Sequence, residues 1–182
     1  FLASDVSGYV TGQTLVETIE DVAKLDFGPD DELAYLSQTT LSVDDTGAII
    51  RAIEARYPQV VAPKAEDICY ATSNRQAAVK QISPLCQLVF VIGAPNSSNS
   101  LRLVEVAHRA GACAQLIQRA SDIDPVWLTG VETVGITAGA SAPEALVNEV
   151  VARLKEICDV EAEEVVTAKE HITFKLPRQL VR

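Results

Sequence analysis

The stretch Leu88-Val89-Phe90-Val91-Ile92-Gly93, running into Asn96-Ser97-Ser98-Asn99-Ser100, decides the fold. Five apolar residues in an unbroken row suit a strand covered on both faces, which is the condition of a parallel sheet. The row gives way to small hydroxyl and amide residues. Leu103, Val106, Ala107 and Ala110 then recur at helical spacing until Gly111 closes the segment. Strand, hydroxyl-rich loop and amphipathic helix together make a βα unit.

The same order recurs on either side. Residues 33–36 run into Ser37-Gln38-Thr39-Thr40, and residues 131–136 run into Thr137-Ala138-Gly139-Ala140-Ser141. A fourth junction, Cys69-Tyr70-Ala71-Thr72-Ser73-Asn74, follows the short apolar run 60–62 after a loop. Ser42 and Asp45 suit an N-cap and its partner three residues on, with the stripe Ile49, Ile50, Ile53 and Tyr57 behind them and Pro58 as the stop. Pro143 has its φ preset for a first helical turn, and Leu146, Val147, Val150, Val151 and Leu154 then face one side. Ile172, Phe174 and Leu176 alternate, which predicts a last strand. The whole predicts an α/β fold, a parallel sheet with flanking helices.

In such sheets ligands bind beyond the C-terminal strand ends, where free N–H groups and helix dipoles favour anions. The hydroxyl- and amide-rich loops fall at those places, and both groups can donate to phosphate oxygens. A phosphorylated or diphosphate ligand is therefore expected.

With 182 residues, 48% of them hydrophobic, the chain can build one ordinary core, or one domain and part of another. A net charge of −10 repels phosphate backbones, and aromatics are few, so nucleic acid is excluded as a partner. No apolar run approaches the ~20 residues of a membrane span. No basic segment precedes an apolar one as in a signal peptide. A soluble, cytoplasmic protein without a membrane partner is expected. The chain opens on Phe1 and contains no Met, which reads as a fragment or a processed piece.

None of the four cysteines, Cys69, Cys86, Cys113 and Cys158, forms a CxxC pair. Disulfide scaffolds are denser in Cys and self-contained zinc sites more closely spaced. Buried thiols remain, or one Cys donated to a site completed elsewhere. Every candidate also has a plain structural role. Residues 96–100 can be a loop and an N-cap, and Ser141-Ala142-Pro143-Glu144 has the form of a capping box. Thr39 and Thr40 suit a strand end, and Cys69 alone suits a small buried site. Cys86 and Cys113 border apolar segments and are expected in the core, with Cys158 structural near a helix end. His108 and His171 lack a catalytic partner nearby in sequence and are read as non-catalytic.

Together the loops say more. Gln38-Thr39-Thr40-Leu41-Ser42-Val43-Asp44-Asp45-Thr46 resembles the hydroxyl-rich motif of the 4-hydroxy-3-methylbut-2-enyl diphosphate reductase family. Asp67-Ile68-Cys69-Tyr70-Ala71-Thr72-Ser73-Asn74-Arg75-Gln76 resembles that family's third cluster-cysteine motif. Asn96-Ser97-Ser98-Asn99-Ser100 and Thr137-Ala138-Gly139-Ala140-Ser141-Ala142-Pro143 are similar to its two diphosphate-binding loops, in the same order and spacing. The likeness runs from about Leu15 to the C-terminus.

The resemblance implies a three-lobed fold, with residues 15–65 ending the middle lobe, 66–157 forming the third and 158–182 a tail. It implies an iron–sulfur oxidoreductase of the non-mevalonate isoprenoid pathway. Such an enzyme removes an allylic hydroxyl to give isopentenyl and dimethylallyl diphosphates, with electrons from ferredoxin or flavodoxin. A [4Fe–4S] cluster is implied, held by one cysteine from each lobe, and Cys69 would be the third-lobe ligand. Thr39 would lie beside the substrate hydroxyl and relay a proton, and Ser97, Ser98, Asn99 and Ser141 would hydrogen-bond the diphosphate.

The family's other two cluster cysteines, its diphosphate-binding histidines and its proton-donating glutamate are expected upstream, and neither His108 nor His171 replaces them. One cysteine cannot hold the cluster, so the isolated chain is expected to be inactive. Residues 1–14 stand outside the resemblance and are weakly similar to a C-terminal segment of short-chain dehydrogenases. No glycine fingerprint or Tyr-x-x-x-Lys accompanies them, so dehydrogenase activity is not expected. The alternatives are a non-catalytic α/β module that binds phosphate ligands without iron, or a fragment with no ligand.

Overall fold

In chain order the elements are β1 (Leu2–Asp5), β2 (Val10–Thr14), α1 (Ile19–Lys24), β3 (Leu33–Tyr35), α2 (Val43–Arg56), α3 (Tyr70–Ile82), β4 (Leu88–Ile92), α4 (Ser98–Arg109), β5 (Cys113–Ile117), β6 (Val134–Ala138) and α5 (Glu144–Ile157). They come from a computed structural model that describes residues 2–5, 10–63 and 67–167. The expected strand around Phe174, and His171, lie outside the described residues.

Strand β4 is buried at every position and sits between β5 and β6, parallel to both, with Phe90 opposite Gln115 and Ile136. Its side chains alternate between two cores. Val89 and Val91 pack with Val79 of α3 and with Leu103, Val106 and Ala107 of α4. Leu88, Phe90 and Ile92 pack with Ile117, Ala138 and the α5 residues Val150 and Leu154. Helices on both faces are why this strand is apolar without interruption.

The first part of the chain is built differently. β1 pairs antiparallel with both β2 and β3, so residues 33–36, expected in a parallel sheet, join an antiparallel one. The apolar run 60–62 contributes a single parallel bridge, Val61 to Ala34, and not a strand. Val22, Leu25, Leu33, Tyr35, Ile53 and Tyr57 form this part's own core.

Other expectations shift by a few residues. The last parallel strand runs over Val134–Ala138 and not 131–136. Just before it, Gln87 fastens the chain: its side-chain oxygen accepts from Glu132 N–H (2.6 Å) and Thr133 N–H (3.1 Å), and its own N–H donates to Thr133 C=O (3.1 Å). Cys113, expected in the core, is exposed, because it begins the edge strand β5. Cys86 is half-buried against Gly135, and burial pushes its thiol pKa up.

The N-terminus of α2 docks on α3 and α4. Ser42 caps α2 by accepting from Asp45 N–H (3.2 Å), but the Asp45 carboxylate turns away to Arg109, with both oxygens 2.8 Å from Nη1. Partial burial works to raise the Asp45 pKa, and the Arg109 guanidinium outweighs it, leaving the carboxyl below its ordinary value. Lys80 reaches Asp44 at 2.7 Å. Both pairs are largely exposed, so each is worth at most about 1 kcal/mol.

Candidate functional site

Topology brings three helix N-termini to one edge. α4 and α5 leave the C-terminal ends of β4 and β6. α3 returns to β4 through the short 3-10 turn Ser83–Leu85, so its start also lies at that edge. Cys69, Ser97 and Pro143 are the N-caps of α3, α4 and α5.

Ser97 Oγ accepts from both the N–H (3.3 Å) and the hydroxyl (3.0 Å) of Ser100, which is 1% exposed. Ser100 is wedged between two strand ends. A Cβ placed on Gly93 would lie 2.0 Å from its Oγ, and one on Gly139 would lie 2.5 Å away. Gly93 N–H donates to Ile117 C=O (2.9 Å) and Gly139 N–H to Ile92 C=O (2.8 Å), so the loops after β4 and β6 close on the first turn of α4.

Asn99 lies in that same turn. It is 8% exposed, and neither its Oδ1 nor its Nδ2 has a hydrogen-bond partner among the described residues. A buried amide left so costs about 1–3 kcal/mol, and a ligand offering oxygens at the helix N-terminus would satisfy it. The change Asn99→Leu is therefore expected to leave the thermal midpoint equal or higher. If this turn holds a diphosphate, the change should also abolish whatever stabilisation inorganic pyrophosphate gives the unsubstituted chain. A large loss of stability in calorimetry would refute this account of the amide.

Ser98 is exposed at the first position of α4, and Ser141 is exposed in the loop after β6. Ser141 is not the cap its motif suggests. The helix begins at Glu144, and Pro143, with ψ 142°, is the last extended residue before it and makes no side-chain cap.

Thr39 and Cys69 meet through the backbone, Cys69 N–H donating to Thr39 C=O at 3.2 Å. Both residues are exposed, and the Cys69 side chain makes no capping bond. Cys86 and Cys113 precede or begin strands and Cys158 ends α5, which puts all three at the opposite edge. Among the described residues no group of three or more His, Cys, Asp or Glu could hold a metal ion. His108 is exposed in the last turn of α4.

The expected residues thus form two groups on one edge: Thr39 with Cys69, and Ser97, Ser98 and Asn99 with the loop of Ser141. Gly93, Ser100, Gly139, Asp67 and Gln76 fall inside the quoted motifs, but the sequence assigns none of them a role of its own. The two glycines at strand ends, each before a hydroxyl-rich loop, were the available signal. A cavity of about 340 Å³ lies against the turn that carries Thr39, walled by Ser37, Gln38, Leu41, Ile49 and Ile53 with Arg102 at one side, although Thr39 and Cys69 themselves do not line it. No helix among the described residues is long and apolar enough to cross a membrane.

A family profile described as LytB protein matches residues 4–155, beginning inside the segment 1–14 that lies outside the sequence resemblance. The 4-hydroxy-3-methylbut-2-enyl diphosphate reductase of Roseobacter denitrificans is 57% identical over 167 residues, covering 91% of this chain and 53% of its own length. The enzyme of the same name from Actinobacillus succinogenes is 50% identical over 169 residues, covering 93% and 54%. Among solved structures, the E-1-hydroxy-2-methyl-but-2-enyl-4-diphosphate reductase from Plasmodium falciparum superposes with a TM-score of 0.83 at 32% identity, covering 90% of this chain and 52% of that one. The chain spans about half the length of the curated relatives it matches.

Proposed function

Because the chain belongs to the LytB protein family, we propose that it is the C-terminal part of a 4-hydroxy-3-methylbut-2-enyl diphosphate reductase. In that reaction the allylic C–O bond of the substrate breaks. Two electrons and two protons enter, and water leaves with isopentenyl or dimethylallyl diphosphate as the product. Ser97, Ser98, Asn99 and Ser141 hold the diphosphate at the start of α4, where helix N–H groups add to their hydrogen bonds. Thr39 stands beside the substrate hydroxyl and moves a proton to the departing oxygen. Ferredoxin or flavodoxin is the electron donor, and the setting is cytoplasmic.

Cys69 would be one thiolate ligand of a [4Fe–4S] cluster. Its donor type suits iron–sulfur ligation, and its side chain is exposed and unbonded at the edge where the ligand loops meet. When bound, such a cluster supplies electrons and an open Lewis-acid iron. One observation carries the proposal: of the four cysteines, Cys69 alone stands on the edge shared by Thr39 and the hydroxyl loops.

Anaerobic reconstitution with iron and sulfide tests it. A full-length protein carrying this chain is expected to take up the cluster and reduce the substrate, and the 182-residue chain alone to do neither. Turnover by the chain alone, or none by the full-length protein, would overturn the proposal. The unpartnered Asn99 amide also favours a second reading, a diphosphate-binding module without iron. Calorimetry with pyrophosphate in the absence of iron separates that module from a chain without any ligand.

A further inference from the structure

The turn that carries Thr39 is fastened at alternate residues to α3 and to the segment just before it. Ser37 N–H donates to Asp67 Oδ2 at 2.6 Å. Thr39 C=O accepts from Cys69 N–H at 3.2 Å. Gln76 then uses both ends of its amide, Nε2 donating to Leu41 C=O (2.8 Å) and Oε1 accepting from Val43 N–H (3.0 Å). Gln76 is 1% exposed, although glutamine is mostly a surface residue. Val43 is the first residue of α2, so Gln76 also satisfies one of that helix's free N–H groups.

We propose that Gln76, with Asp67, is a positioning residue that holds the Thr39 turn in register against Cys69. It rests on the roles given above to Thr39 and Cys69. Loops move unless tied down, and proton transfer needs its partners within hydrogen-bond reach. Gln76 sits on the helix that begins beside Cys69, so a shift of α3 carries the cysteine and the turn together. The serine loops belong to other elements, β4–α4 and β6–α5, and lie outside this fastening. Gln76 therefore governs the reacting end of the substrate and not the diphosphate end.

The test uses a full-length protein carrying this chain. In Gln76→Leu, amide hydrogen exchange is expected to quicken across residues 37–43 while β4 and α4 stay protected. kcat should fall roughly tenfold to a hundredfold, as a misplaced catalytic group does. KM for the diphosphate substrate should change by less than about twofold. In a Thr39→Val background the same change should lower kcat no further, because both act through one group. Gln76→Glu keeps the fold testable. When protonated, its carboxyl presents the same donor and acceptor as the amide, so its kcat should recover as the pH is lowered. Unchanged exchange, unchanged kcat, or losses that simply add to those of Thr39→Val would each overturn the inference. Absence of turnover in the unsubstituted protein would overturn the reductase reading and the inference with it. The exchange response, which needs no activity, tells the two failures apart.

Discussion

Replacing Cys69 with Ser in a full-length protein carrying this chain is expected to reduce reductive turnover to background and to strip iron from the protein, while leaving the fold intact. The fold survives because Cys69 serves it only through its backbone. Its N–H donates to Thr39 C=O, and its C=O accepts from Thr72 N–H (2.8 Å) and Ser73 N–H (3.0 Å). Its side chain makes no capping bond. Serine keeps all three backbone bonds and is itself a good N-cap, so with both proteins compared free of iron the stability should hold or rise by what a cap contributes, about 1 kcal/mol. Turnover is lost because an alcohol oxygen is a poor substitute for the soft thiolate that iron–sulfur clusters require. No neighbouring thiol can take over, since Cys86, Cys113 and Cys158 sit at the far edge of the sheet. Iron per chain, the visible absorption of the reconstituted protein, turnover and a melting curve decide the matter. A Cys69→Ser protein that keeps its iron and activity would sink the assignment. A protein that binds pyrophosphate equally well with either residue, and never takes up iron, would instead be the metal-free module.

The part of the fold that places this cysteine was legible because its signals are local and redundant. The unbroken row Leu88–Ile92, ending in a hydroxyl-rich loop, suited a strand covered on both faces, and the α4 stripe with Gly111, at φ 94°, marked where the helix stops. Together they set which loops face the ligand. The antiparallel sheet was not legible. β3 has three residues, and its partner β1 lies near the start of the chain, too distant for any periodicity to reveal. Ser141 misled for a related reason. The pattern Ser-x-x-Glu fits a capping box, but β6 runs on to Ala138, and the extended Pro143 delays the helix to Glu144. Cys113 borders an apolar segment, and nothing in the sequence says that its strand is an edge. Asn99 was legible as a polar residue of the right type. That its amide is buried and unpartnered appears only after α4 has packed.

Gly93→Ala is the substitution expected to damage the scaffold of this site most, and the cause is steric and not conformational. Only Gly111 and Gly130 have positive φ among the described glycines, so the backbone at Gly93 would accept an L-residue. The space would not. The new Cβ falls 2.0 Å from Ser100 Oγ and 2.6 Å from Ser100 Cβ, so turning the hydroxyl away leaves the second clash in place. The helix cannot retreat, because Leu103, Val106 and Ala107 of α4 are packed on Val89 and Val91. The end of β4 must therefore lift, which strains the bond from Gly93 N–H to Ile117 C=O. A cost of about 1–3 kcal/mol follows from overpacking alone, and pyrophosphate binding should weaken with it as the loop of Ser97 and Asn99 shifts. Gly139→Ala is the internal control. Its Cβ meets Ser100 Oγ at 2.5 Å but Ser100 Cβ only at 3.7 Å, so one rotation of the serine side chain relieves it and the loss should be smaller. The sharper test adds Ser100→Gly to Gly93→Ala. Alone, Ser100→Gly gives up the bonds to Ser97 Oγ and up to about 1 kcal/mol of helix propensity. Combined with Gly93→Ala it removes both clashing atoms, so the double variant should melt above Gly93→Ala even though each change alone destabilises. Strictly additive losses in melting curves would mean that Gly93 and Ser100 do not press on one another, and that the loops after β4 and β6 are joined to α4 by some other contact.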